Sequence, residues 1–136
     1  MPSRIILDTN LWISFLISKD FSKLDSFLFS KKIELVFSQE LLDEFLDVVK
    51  RPKFRRFFTN EDIEDILETI EEFAIFVPVI SKTDICRDPK DNFLLSLAKD
   101  SNAQYLLTGD KDLLDLKLFE KTKIITISTF LYSFLA

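Results

Sequence analysis

The chain has no histidine, one cysteine and one glycine, and its four prolines are scattered. Each shortage excludes something. Without histidine, and with Cys86 alone, the nitrogen and sulfur ligands typical of zinc sites are missing, and no disulfide scaffold can form. A lone glycine and dispersed prolines leave no repeat, low-complexity tract or linker. No apolar run approaches the length of a membrane span, and the opening MPSRIILD has neither the charged, the apolar nor the cleavage region of an export signal. A reduced, cytoplasmic protein with no membrane association is expected.

What is present is apolar and acidic. The 136 residues, 47% of them apolar, suit one compact unit with a sizeable core, and fifteen phenylalanines make that core aromatic. The formal net charge of −5 argues against binding nucleic acid through the whole surface, because phosphates are met by Lys and Arg. A local exception is the basic run Lys50, Arg51, Lys53, Arg55 and Arg56, which reads either as a solvated connection or as a contact for an RNA backbone.

Short β-branched runs alternate with helical patterns, the signature of βα units around a parallel sheet. Strands are predicted over 4–7, 34–37, 75–80, 105–108 and 123–127, and helices over 10–18, 22–31, 38–50, 60–73, 91–101 and 128–136. Ser22 with Asp25 and Thr59 with Asp62 have capping-box spacing, and Ser38 and Ser128 are candidate N-caps. Pro52 ends the third helix, and 51–59 is a connection or helical turn.

Four acids stand at strand ends or at the inward edge of helices. Asp8 follows the first strand in Leu7-Asp8-Thr9-Asn10, where ligands bind in open α/β sheets, although a turn or capping aspartate has the same appearance. Asn10 is a cap or a support for Asp8. At 100° per residue, Glu44 lies beside Val48 at the margin of the arc Leu41, Leu42, Phe45, Leu46, Val48 and Val49, while Glu40, Asp43 and Asp47 face away. In Asp88-Pro89-Lys90-Asp91, Asp88 is read as the cap and Asp91 as the start of an inward stripe with Leu94, Leu95 and Ala98. Asp110 follows the last inner strand in Thr108-Gly109-Asp110-Lys111-Asp112. There Gly109 is expected to need a positive φ or a close approach, Thr108 to bond a carboxylate, and Asp112 to cap the short helix or add a further ligand. Buried acids without basic partners are costly, and a hard divalent cation, Mg²⁺ or Mn²⁺, is the economical counter-charge. That points to phosphodiester chemistry.

Together, Asp8-Thr9-Asn10, the segment 38–51 with Glu44, Asp88-Pro89-Lys90-Asp91-Asn92 and Thr108 to Leu114 resemble the PIN-domain ribonucleases. The likeness is strongest to the branch of toxin components of type II toxin-antitoxin systems. It spans nearly the whole chain, with the elements in the family's order. The resemblance implies one PIN-like domain over 1–136, a three-layer α/β/α fold with a central parallel sheet of four to five strands. It further implies an acidic quartet of Asp8, Glu44, Asp91 and Asp110 as catalytic residues and metal ligands, with Asp112 as a further candidate and Asn10 and Thr108 behind them. One or two Mg²⁺ or Mn²⁺ ions, an RNA substrate cut to a 5′-phosphate and a 3′-hydroxyl, an antitoxin protein and a homodimer are the implied cofactors and partners. A phosphoacceptor receiver lacks its acidic pair here and a haloacid-dehalogenase phosphatase its second aspartate, since Asn10 stands in that place. A catalytically silent PIN-like binding module is the remaining alternative.

Overall fold

The structure is a computed structural model and describes residues 3–18 and 32–135. The helix expected over 22–31, with its Ser22 cap, lies outside the described residues. Strands β1 (Ser3–Leu7), β2 (Ile33–Phe37), β3 (Ala74–Phe76), β4 (Tyr105–Leu107), β5 (Leu118–Phe119) and β6 (Thr122–Ile125) form one sheet in the order β3-β2-β1-β4-β6-β5. Every pairing is parallel except that of β5 with β6. Helices α1 (Thr9–Ser18), α2 (Gln39–Val49), α3 (Asn60–Phe73), α4 (Pro89–Ser101), α5 (Lys111–Leu114) and α6 (Ile127–Leu135) accompany the sheet. This is the α/β architecture expected, with one antiparallel edge strand the sequence pattern did not reveal.

Both faces of the sheet are covered. Successive strand residues point to opposite faces, yet Ile5, Ile6 and Leu7 are all buried, as are Leu35, Val36 and Phe37. The aromatic content serves this core: Trp12 of α1 tilts against Phe37 with ring centroids 5.7 Å apart and meets Phe45 of α2 at 6.4 Å. The inward stripe of α2 is Leu41, Leu42, Phe45, Val48 and Val49, and burying each such side chain contributes roughly 2 kcal/mol.

Local chemistry sets the element ends. The Ser38 side chain accepts the Leu41 N–H, and Thr59 and Asp62 make both bonds of a capping box. Some local expectations are corrected. The third strand stops at Phe76 rather than continuing to residue 80: Val77 donates to the Phe37 carbonyl, after which Ser38 opens α2 and no partner strand remains. Pro78 then lacks an N–H. The last helix is capped by Thr126, whose hydroxyl oxygen accepts the Thr129 N–H, rather than by Ser128. Gly109 has no positive φ, and a Cβ there would meet nothing within 4 Å. The left-handed residues are instead Asn102, Lys117 and Glu120, of which Asn102 closes the C-terminus of α4.

Candidate active site

Strand order reverses at the β1–β4 boundary. From β1 the sheet grows through β2 and β3 on one side and through β4 and β6 on the other, so the carboxyl ends of β1 and β4 frame a crevice. The register pairs Leu7 with Leu107, which puts the residues after them side by side. Asp8 donates its backbone N–H to the Leu107 carbonyl at 3.0 Å. Its Oδ2 accepts the Thr108 hydroxyl at 2.8 Å, and its Oδ1 accepts the Asn10 backbone N–H at 3.3 Å. Asp8 therefore caps α1 and belongs to the crevice at once. Both Asp8 and Thr108 are buried, at 8% and 1% exposure.

The Thr108 hydroxyl oxygen accepts the Asp110 N–H at 3.0 Å, and Asp110 Oδ1 accepts the Asp112 N–H at 2.8 Å. These two side-chain contacts shape the turn, which is why Gly109 needs no special backbone conformation. Asp110, not Asp112, is the cap of α5. Asp112 instead takes Arg87 on both carboxylate oxygens, at 3.3 and 3.2 Å.

On α4, Asp88 is the N-cap, accepting the Lys90 N–H at 2.9 Å, and Pro89 opens the helix. That leaves Asp91 inside the first turn, 5% exposed, on the buried stripe with Leu94, Leu95 and Ala98. Its Oδ2 is buried with no hydrogen-bond partner. Burial first, then the charges of Asp110 and Asp88, the hydrogen bond shared with Asp110 and the charge of Asp8, push its carboxyl up to about 6. Asp91, Asp110 and Asp112 present oxygens that lie within 4.8 Å of one another.

Glu44, half-buried at the edge of the α2 stripe as its position in sequence implies, faces this group across a cleft of about 260 Å³. Asp8, Asn10, Glu44, Asp88, Asp91 and Asp110 are among the residues lining it, together with the cations Arg51, Lys53 and Lys90. Lys90 crosses from α4 to meet Glu44 at 3.2 Å. Asp112 does not line the cleft and joins the cluster from behind Asp110.

The structure thus brings Asp8, Glu44, Asp91 and Asp110 to one crevice. It divides the basic run: Arg51 and Lys53 reach the cleft, whereas Lys50 and Arg55 line another hollow and Arg56 lies over the Phe57 ring. Lys90 and Arg87 escaped the reading of the sequence. The signal was available for Lys90, a cation set inside an acidic motif, but Arg87 meets Asp112 across 25 residues.

The chemistry of the donor set can be tested against a metal. A buried carboxylate oxygen without a partner, in an all-oxygen cluster where burial and then neighbouring charges raise an acid's pKa, fits a hard divalent cation and not a soft one. Residues 4–112 match the family model described as PIN domain. The uncharacterized protein MJ1680 of Methanocaldococcus jannaschii is 32% identical over 117 residues, covering 84% of this chain and 75% of that protein.

Proposed function

The chain belongs to the PIN-domain family, a nuclease fold that is usually metal-dependent, and on that premise we propose that it is a Mg²⁺- or Mn²⁺-dependent endoribonuclease. The observation that carries the reading is Asp91, a buried acid with an unpartnered oxygen among other carboxylates at the sheet's switch point. Asp8, Glu44, Asp91 and Asp110, with Asp112 as a further ligand, would hold one or two ions. When bound, the metal would activate a water for in-line attack on the phosphodiester and stabilise the leaving oxygen.

The chain's own groups have separable tasks. Thr108 fixes the orientation of Asp8 by its hydroxyl and supports Asp110 by accepting its N–H. Asn10 contributes its backbone N–H to Asp8 and keeps its side chain at the cleft wall. Arg51 and Lys53 offer positive charge to the substrate phosphates at the cleft rim. Glu44, whose Oε1 pairs with the largely exposed Lys90, would accept a proton from the attacking water through its other carboxylate oxygen.

The finer assignment is the toxin of a toxin-antitoxin pair, acting in the cytoplasm as a homodimer. An acidic cleft is complementary to a basic side chain from an antitoxin, which supports that assignment. Among the described residues, no helix is long and apolar enough to cross a membrane.

The test is cleavage of an end-labelled, mixed-sequence RNA with Mn²⁺, with Mg²⁺ and with EDTA, beside Asp8→Asn protein purified identically. Cuts that need metal and vanish in the variant are expected. A folded wild-type protein that binds RNA but cuts with neither metal would replace the enzyme with a silent PIN-like binding module.

A further inference from the structure

Lys50, Arg51, Lys53, Arg55 and Arg56 are close enough in sequence to suggest one basic patch, yet the turn after α2 deals them to different surfaces. The short 3₁₀ turn Pro52–Phe54 falls within the run. Arg51 and Lys53 line the acidic cleft, where Arg51 is 3.8 Å from Asp47 and Lys53 lies 5.1 Å over the Phe54 ring. Their chain neighbours Lys50 and Arg55 instead line an open hollow of about 530 Å³, together with Val49, Phe58, Asn60 and Ile63.

That hollow differs from its surroundings in charge. The chain carries 23 acids against 18 bases, but among the described residues no acid lines it. Neither Lys50 nor Arg55 has a carboxylate partner among the described residues. Val49, Phe58 and the half-buried Ile63 give its lining an apolar part, and Asn60 adds an amide. Two unpaired cations beside an apolar surface suit a polyanion with apolar faces: phosphates meet the cations while a ribose or base covers the apolar part. A small inorganic anion would leave the apolar part unused.

We infer that this hollow is an extended subsite for single-stranded RNA, where a strand leaving the acidic cleft passes the Pro52–Phe54 turn and sets its backbone against Lys50 and Arg55. The inference rests on the ribonuclease reading of the cleft. It assigns the cleft to the bond that is cut and the hollow to strand length, so affinity grows with length although the chain as a whole is acidic.

The test compares wild type, the double variant Lys50→Gln/Arg55→Gln and a charge-matched control, Lys99→Gln/Lys121→Gln, whose lysines lie in a hollow at the far end of α4. Binding of a dinucleotide and of an unstructured dodecanucleotide is measured with Ca²⁺ over a range of NaCl, with electrophoresis to verify that the RNA stays intact. For the dodecamer, the dependence of log K on log salt is expected to be shallower by about 1.4 in the double variant, two phosphate contacts at about 0.7 each. The advantage of the dodecamer over the dinucleotide shrinks in the same variant, and the control keeps both. An unchanged slope and length advantage, in variants that melt like wild type, would overturn the subsite while leaving the ribonuclease reading standing. A wild-type protein that binds neither RNA, with or without metal, would overturn both.

Discussion

Asp91 concentrates the tension of the site in one carboxyl group. Its pKa of about 6 lies above the roughly 3.9 of an unfolded aspartate, so between those values the folded chain holds more protons than the unfolded one. The stability it contributes is therefore fully present below about pH 4 and is lost as pH rises through about 6. Asn mimics the protonated acid. In EDTA, Asp91→Asn should melt above wild type at pH 7, and the gap should close toward pH 4; a gap that widens on acidification would contradict this sign. Gly109 makes a second prediction at this scale. With no positive φ and open space where a Cβ would go, Gly109→Ala should raise stability by about 0.4–1 kcal/mol through the unfolded chain's lost freedom. Chemical denaturation measures it, and a loss larger than 1 kcal/mol would mean that the turn needs glycine after all.

Among the elements, α4 does more than carry Asp91. Its outer residues hold the irregular segment that follows β3. Asp100 accepts the Ser81 hydroxyl and the N–H groups of Ser81 and Ile80, which keep its carboxyl below the usual range, and the Ser96 hydroxyl donates to Thr83 at 2.8 Å. Asn92 accepts the Ile85 and Cys86 N–H groups at 3.0 and 2.8 Å and donates to the Cys86 carbonyl at 2.9 Å. The segment so clipped ends in Arg87, the partner of Asp112. Asn92→Leu removes all three bonds without changing any acid and should cost roughly 1–3 kcal/mol. Hydrogen exchange at Ile85 and Cys86 should accelerate well beyond that of the α4 core. Unchanged exchange there would mean that the segment is held by its other contacts.

For the whole molecule, net charge and sheet topology act together. A chain at −5 gathers Asp8, Glu44, Asp88, Asp91 and Asp110 at one crevice, and among the described residues Arg51, Lys53 and Lys90 line it with opposite sign. Any divalent ion bound there stabilises the folded state alone. At a hundredfold excess over Kd this amounts to about 2.7 kcal/mol, a rise in Tm of roughly 10 °C for a domain of this size. Mg²⁺ or Mn²⁺ should give that rise, NaCl at equal ionic strength far less, and Asp91→Asn should abolish most of the difference. Equal effects of the two salts would indicate general screening rather than a site.

Much of this was legible in the sequence because it depends on neighbours along the chain. The apolar arc of α2 that leaves Glu44 at its margin, the caps at Ser38, Thr59 and Asp88, and the acids that follow β1 and β4 are all local patterns, set by the periods of helix and strand. So was the parallel α/β class itself. The tertiary structure decided what depends on partners distant in sequence. It stopped the third strand where β2 ran out, and it added the antiparallel β5. It moved Asp112 from cap to partner of Arg87 and divided one basic run between two hollows. Spacing can place a carboxylate at a strand's end, but only the β1–β4 register sets Asp8 against Thr108, 100 residues away. Whether a buried oxygen finds a partner is likewise settled by packing in three dimensions, which is why the unpartnered oxygen of Asp91 could not be read from the chain alone.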